Sequence, residues 1–253
     1  MRFSANLGFL WTELDLPEAI RAAHRAGFDA VELHWPYETD PEQVTTALAE
    51  TGLPVLGLNT VRGDVAAGEN GLAALPGREQ EARAAIDQAI GYANKIGAQN
   101  IHVMSGNGAG RDHHDTVIEN LRYACAQASG VGKTILIEPL SQHAAPGYFL
   151  NSTGQAIEIM DEVGAENIAL MFDCFHVQLI EGDLSNRLAT LRERIGHIQF
   201  AAVPDRGAPD HGEINYDYIF ELLSGMGWDR PLGAEYKPNG PTEASLGWLP
   251  RAG

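Results

Sequence analysis

The chain has 253 residues, of which 44% are apolar, and a formal net charge of −17. This length suits one (β/α)₈ barrel, and this apolar fraction fills one sizeable core, which excludes fibrous and disordered classes. A surface so acidic repels phosphate backbones, and no basic stripe offsets it, so nucleic acid is not an expected partner, whereas small metabolites and cations are.

In chain order, short β-branched or apolar runs predict strands over Arg2–Asn6, Ala30–His34, Val55–Asn59, Asn100–Met104, Thr134–Glu138, Ile168–Asp173, His197–Ala201 and Leu232–Glu235. Helical patterns fall between them, over Leu16–Ala26, Pro41–Thr51, Gly77–Ile96, His113–Ala128, Ser152–Val163, Asp183–Arg194 and Tyr216–Met226. In the third, Ala82, Ala85, Ile86, Ala89, Ile90 and Ala93 recur at three- and four-residue spacing, as one buried helix face requires. Glycines such as Gly27, Gly52, Gly97, Gly164 and Gly227 follow helical runs, where left-handed caps are expected. β-then-α units repeated from end to end, with no composition break, predict an α/β fold: a closed parallel TIM barrel forming a single domain over residues 1–253. A doubly wound open sheet is the alternative, and it normally has fewer strands.

The N-terminus has an acidic residue by position 13 and no long apolar stretch, and no run approaches the roughly 18 apolar residues of a membrane helix. Cys125 and Cys174 are far apart and form no C-x-x-C pair, which fits a reducing compartment. A cytoplasmic protein with no membrane association is expected. Trp248 and Leu249 are read as a subunit contact of a homo-oligomer or as a barrel cover.

Barrel chemistry is expected at the C-terminal ends of the strands. The last four predicted strands end on Glu138, Asp173, Gln199 and Glu235 or run just past them. One such residue is ordinarily solvated or paired with a lysine. Four on consecutive strands place three carboxylates and one amide carbonyl around a common point, a hard oxygen set that suits Mg²⁺ or Mn²⁺ better than zinc. His176, three residues past Asp173, is a candidate for a substrate oxygen or for orienting a ligand. Arg206 in the seventh βα-loop has the planar fork that clamps a carboxylate, or else pairs at the surface with Asp205 or Asp210. Lys237 either binds a substrate carboxylate or neutralises the acidic site. His102, inside a strand, is a core histidine or a pocket donor.

The loop from Thr60 to Pro76 is long, glycine-rich and charged, and reads as a lid or a substrate wall. Two nucleotide look-alikes fail. The Gly130–Thr134 stretch has Gln127 where a P-loop needs its first glycine, and it leads into a strand. Ser105–Gly110 has Arg111 in the place of the third glycine of G-x-G-x-x-G. No nucleotide cofactor is expected.

Several segments together are similar to the hydroxypyruvate isomerase family, including 2-oxo-tetronate isomerases, within the xylose-isomerase-like barrels. They are Ile137-Glu138-Pro139 with PGYFLN ending at Asn151, Phe172 to Gln178, HIQFAAVPDRGAPDHGEINY from His197 to Tyr216, and Gly233 to Pro238. Upstream, Gly63-Asp64, Ala67-Gly68-Glu69 and Leu75 to Glu79 fit the same pattern. The resemblance implies that Glu138, Asp173, Gln199 and Glu235 hold the divalent ion and that Glu138 and Glu235 give and take the proton. It also implies that His176 and Arg206 contact substrate; Glu69, His102 and Lys237 are further candidate contacts by their positions. The substrate it implies is a short hydroxy-oxo acid or sugar, isomerised between aldose and ketose. Related sugar 3-epimerases carry histidine where Gln199 stands, so glutamine points to the isomerase branch. Ser141 to Ala145 departs from the Asn, Arg and Asp pattern of many relatives, which leaves substrate choice open. An epimerase or a non-catalytic sugar-acid-binding barrel is the alternative. A DNA-repair barrel is opposed by the charge.

Overall fold

Eight parallel strands close on themselves in chain order, each hydrogen-bonded to the next and β8 returning to β1. The structure, a computed structural model, describes residues 1–250. The strands are β1 (Phe3–Asn6), β2 (Ala30–Leu33), β3 (Val55–Asn59), β4 (Asn100–His102), β5 (Thr134–Ile137), β6 (Ile168–Asp173), β7 (Ile195–Phe200) and β8 (Leu232–Ala234). The helices are α1 (Leu16–Ala26), α2 (Pro41–Thr51), α3 (Glu79–Ile96), α4 (Arg111–Ser129), α5 (Thr153–Val163), α6 (Cys174–Ile180), α7 (Leu184–Leu191) and α8 (Tyr216–Gly225). The closed barrel therefore stands and the open sheet falls. No helix among the described residues is long and apolar enough to cross a membrane.

Local chemistry sets the helix ends. Asp15, Asp40, Ser152 and Asn215 each accept a backbone N–H from the first turn of the helix they precede, contributing about 1 kcal/mol apiece. Gly27 ends α1 at φ 93°, a left-handed cap that a side chain would strain.

Three departures from the expected elements have physical reasons. The run Cys174–Ile180 is helical although it follows β6 without a linker, because the Asp173 carboxylate caps it by accepting from the Phe175 N–H at 2.9 Å. The segment expected as one helix over Asp183–Arg194 is α7 plus a tighter 3₁₀ turn, Arg192–Arg194, that delivers the chain into β7. β7 begins two residues earlier than expected, at Ile195, since a register shift after Leu170 lets Ile195 pair with β6.

The eighth βα unit also differs from its seven predecessors. Among the described residues no α-helix follows β8; a 3₁₀ turn at Thr242–Ser245 leads instead to Trp248 and Leu249. The Trp248 indole meets Phe3 edge-on at 5.1 Å and Phe200 at 5.3 Å, and also contacts Phe28 and Tyr236. Leu249 is buried. These residues thus cover the barrel wall, the second of the two roles expected for them. Aromatic edge contacts of this kind are each worth about 0.5–1.5 kcal/mol beyond the area they bury.

Candidate active site at the C-terminal mouth

Loops on the C-terminal face are laced together. Gly71, in the long connection after β3, bridges to Ser105 after β4. A side chain at Gly71, where φ is 116°, would lie 2.5 Å from the Met104 carbonyl oxygen, so only glycine lets the two loops cross. Asn107 then bridges to Tyr148 and donates to the Gly68 carbonyl at 3.1 Å. The segment expected as a lid or a wall is held as a wall.

Inside that rim, burial and charge converge. Glu138 lies one residue past β5, Asp173 ends β6 and Glu235 lies one residue past β8, all of them buried. Arg206 reaches them from the seventh βα-loop, with its backbone in the left-handed region at φ 57°. Its Nη2 donates to Asp173 Oδ2 at 3.3 Å and to Glu235 Oε2 at closer range. Its guanidinium is flanked by the Phe9 and Phe175 rings at 4.9 and 4.8 Å. Cation–ring contacts strengthen when desolvated, which suits a charge held this deep.

Glu235 is the most heavily supported of the acids. Besides Arg206, its Oε1 accepts from Asn6 Nδ2 at 3.0 Å and faces His34 Nε2 at 2.8 Å. Burial alone would raise its pKa, but the Arg206 charge and the His34 hydrogen bond outweigh it and hold the carboxyl below the ordinary range. Glu138 has the opposite environment. Burial, with repulsion from Glu235 and Asp173, lifts its carboxyl well above the ordinary value. Asp173 is raised to about 7, mainly by burial, against the pull of Arg206.

His176 meets the Ser141 backbone N–H at Nδ1, 3.1 Å away, and Arg206 Nη1 at Nε2, 3.0 Å away. The Ser141 N–H makes Nδ1 the acceptor of the ring, and burial and the Arg206 charge lower its pKa to about 3. His102 is buried with both ring nitrogens unpaired, and its Nδ1 lies 3.6 Å from Glu138 Oε2. Burial lowers it too, to about 3.

A divalent ion fits this donor set. Glu138 Oε1 and Gln199 Oε1 are buried and accept no hydrogen bond. Three buried carboxylates stand against one guanidinium, an excess of negative charge that a dication would balance. Ligand-capable atoms of Glu138, Asp173 and His176 lie within 4.8 Å of one another. His176, expected to contact a substrate oxygen or to orient a ligand, therefore also stands within reach of a cation.

Two expected substrate contacts lie outside the cluster. Glu69 is spent on the long loop, where its Oε1 pairs with Arg78 Nη1 at 2.7 Å and its Oε2 accepts the Asp64 N–H at 2.7 Å. Lys237 is exposed, and what it supplies is a backbone N–H to the Arg206 carbonyl. Conversely, Asn6 and His34 contact Glu235 and belong to the site, and they were not singled out from sequence. The signal was present: Asn6 ends β1 and His34 directly follows β2, as Glu138 and Glu235 directly follow β5 and β8.

Comparison with known proteins agrees with this architecture. Residues 20–252 match the family described as xylose isomerase-like TIM barrel. A 2-oxo-tetronate isomerase of Cupriavidus necator is 44% identical, covering 98% of this chain and 97% of its own. A hydroxypyruvate isomerase of Escherichia coli is 39% identical, covering 98% of both chains. A solved Brucella melitensis protein described as an AP endonuclease of family 2 superposes with TM-score 0.94 at 39% identity, covering 98% of this chain and 97% of its own. A 3-keto-D-glucoside 4-epimerase of E. coli shares the fold at TM-score 0.82 and 21% identity, covering 98% of this chain and 97% of its own.

Proposed function

Since the chain belongs to the hydroxypyruvate isomerase family of xylose isomerase-like barrels and is an aldose–ketose isomerase, we propose that it acts on a short hydroxy-oxo acid. Hydroxypyruvate, converted to tartronate semialdehyde, and a 2-oxo-tetronate are the substrates that fit. The observation that carries this reading is the buried group of Glu138, Asp173 and Glu235 around the inward-turned Arg206.

The chemistry moves one carbon-bound proton to the adjacent carbon through an enediolate, with Glu138 and Glu235 as the acid and base. A carboxylate takes the proton from the hydroxyl-bearing carbon and electrons shift towards the carbonyl oxygen; the hydroxyl proton passes to that oxygen, and the carboxyl returns the first proton to the former carbonyl carbon as the former hydroxyl oxygen becomes the new carbonyl. Asn6 and His34 fix the Glu235 carboxylate so that it needs no reorganisation to act. Arg206 supplies the planar fork that orients the substrate carboxylate, while His102 and His176, both neutral, offer contacts to its hydroxyl or carbonyl oxygens. Glu138, Asp173, Gln199 and Glu235 would hold Mg²⁺ or Mn²⁺, which supplies positive charge where oxyanion charge develops. The wall of laced loops limits the access of water at the carbanionic stage.

A nuclease reading, suggested by the name of the Brucella relative, is opposed by the charge of −17. Proton NMR of the Mg²⁺- or Mn²⁺-treated protein with hydroxypyruvate in D₂O tests the proposal. Deuterium uptake at carbon and a new aldehyde-hydrate signal, both abolished by chelator, are expected. Inversion at a hydroxyl carbon with the carbonyl unmoved would instead identify an epimerase, and binding without exchange a non-catalytic barrel.

A further inference from the structure

Below the carboxylate cluster lies a fourth buried acid that the reaction leaves unused. Glu32, on β2, points into the barrel and is 5% exposed. Its Oε1 accepts from the Ser4 hydroxyl and its Oε2 from Gln199 Nε2 at 2.8 Å. The one basic group paired with it is His197, whose Nε2 lies 3.1 Å from Oε2 but out of line for a hydrogen bond. A carboxylate buried with no lysine or arginine is costly to keep. The fold nevertheless makes room for it: a side chain at Gly233 would lie 2.4 Å from Glu32 Oε1 and 2.8 Å from Gln199 Cγ.

Gln199 sits between the strands that bring in two of the acids, with Asp173 as its register partner on β6 and Gly233 on β8. Its two amide ends are nearly the same size, so shape alone does not choose which end faces the cluster. Glu32 does. Its Oε2 accepts from the NH₂ end, which leaves Gln199 Oε1 free of any donor. A flipped amide would set oxygen against carboxylate below and offer N–H groups to a cation above.

We propose that Glu32 is a positioning residue that locks the Gln199 amide with its carbonyl oxygen towards the cation-binding acids. Glu32 is not itself a ligand, because both of its oxygens are engaged below the site. This rests on the metal reading of the site for its consequence, but the amide lock itself is independent of any cation.

The test is a double-mutant cycle on Mn²⁺ affinity, read from the free-ion EPR signal, for wild type, Glu32→Ala, Gln199→Ala and the double variant. Loss of an outer-shell partner typically weakens metal binding about 10–100-fold, and Glu32→Ala is expected to fall in that range. In the Gln199→Ala background the same change should cost no more than about twofold. Equal losses in both backgrounds would show that Glu32 acts through its charge alone, and an unchanged affinity in Glu32→Ala would also overturn the lock. Glu32→Gln keeps the volume and should weaken binding in the same direction, which serves if the alanine variant does not fold. A second readout needs no metal. The Gln199 side-chain NH₂ resonances, identified by their loss in Gln199→Ala, should be widely split in the wild type and collapse together in the Glu32 variants. Wild type that shows the split amide yet binds no Mn²⁺ would sink the metal reading and leave the lock standing. An amide pair indifferent to Glu32 would sink the lock.

Discussion

The backbone N–H of Lys237 donates to the carbonyl of Arg206 at 2.7 Å, tying the loop after β8 to the left-handed residue that delivers the guanidinium. Glu235 and its cationic partner are thus braced against each other through main chain as well as side chain. The brace and the two flanking rings fit a planar guanidinium, which a lysine cannot imitate. Arg206→Lys is expected to raise KM for hydroxypyruvate by about 10–100-fold, the equivalent of one or two charged hydrogen bonds. Steady-state kinetics would check it, and an unchanged KM would remove Arg206 from substrate binding.

Each of the two proton-moving carboxylates should be indispensable. Glu138→Gln and Glu235→Gln are each expected to lower turnover by about 10²–10⁴-fold or more. Deuterium exchange into substrate is the measurement, since it sees the proton-abstraction half-reaction even when product does not accumulate. Near-normal exchange in either variant would reassign that residue.

Cation addition should stabilise the fold, and more so at higher pH. Burial raises Asp173 from 3.8 to about 7 and lifts Glu138 as well. A carboxyl with a raised folded-state pKa stabilises the protein below its unfolded value, and that contribution is lost as pH climbs from 3.8 through about 7. Protons and cations therefore compete for the same oxygens. Saturating Mn²⁺ at about 100 times its Kd should add about 2.7 kcal/mol, a Tm rise of about 5–10 °C in a chain of this size. At one fixed Mn²⁺ concentration the rise should be larger at about pH 8.5 than at about pH 6.5, because protons compete for the carboxylates. Calorimetry with and without chelator decides it, and an equal rise at both values would contradict the picture of buried, cation-binding acids.

Gly233→Ala asks whether the barrel tolerates a methyl where Glu32 and Gln199 meet. With contacts of 2.4 and 2.8 Å to those side chains, overpacking should cost about 1–3 kcal/mol, measurable by urea denaturation. No loss would mean that the two side chains have slack.

His211, half exposed in the loop that follows Arg206, stands between Asp205 at 2.8 Å and Asp210 at 3.0 Å. Hydrogen bonds to Asp210 and Asp205 raise its pKa above the ordinary 6.5. A raised histidine supports the loop fully below its unfolded value and loses that support as pH rises through the folded value. NMR titration should place its midpoint above 6.5 in the wild type and lower in Asp210→Asn. A midpoint at the ordinary value would deny the clamp.

Much of this was legible in the sequence, because strand ends in a parallel barrel are short, apolar and punctuated. Glu138, Asp173 and Glu235 could be singled out from position alone, as each ends or closely follows an apolar run. Glu32 and His34 escaped because they lie near the N-terminus, where no neighbouring pattern announces that β8 will return to them. Only closure of the barrel places His34 against Glu235, 201 residues away. Helix α6 was missed because its cap is the same Asp173 that the site uses, so one residue carries two signals. Glu69 was drawn towards the site by its position, whereas Arg78, nine residues on, holds it in the loop.

The aromatic seal beside β8 has a consequence for how the molecule is assembled in time. Phe3 pairs with Leu232 across the closing strands and packs under Trp248, so the first strand finds its last partners only when almost all of the described chain is available. Contacts of such long sequence separation form late, after loop entropy has been overcome. During synthesis the early strands must therefore wait with one edge and one aromatic face uncovered, in the form most open to wrong pairing and to chaperone capture. The indole that completes the wall is the final stitch, and a chain stopped short of it keeps its seam open.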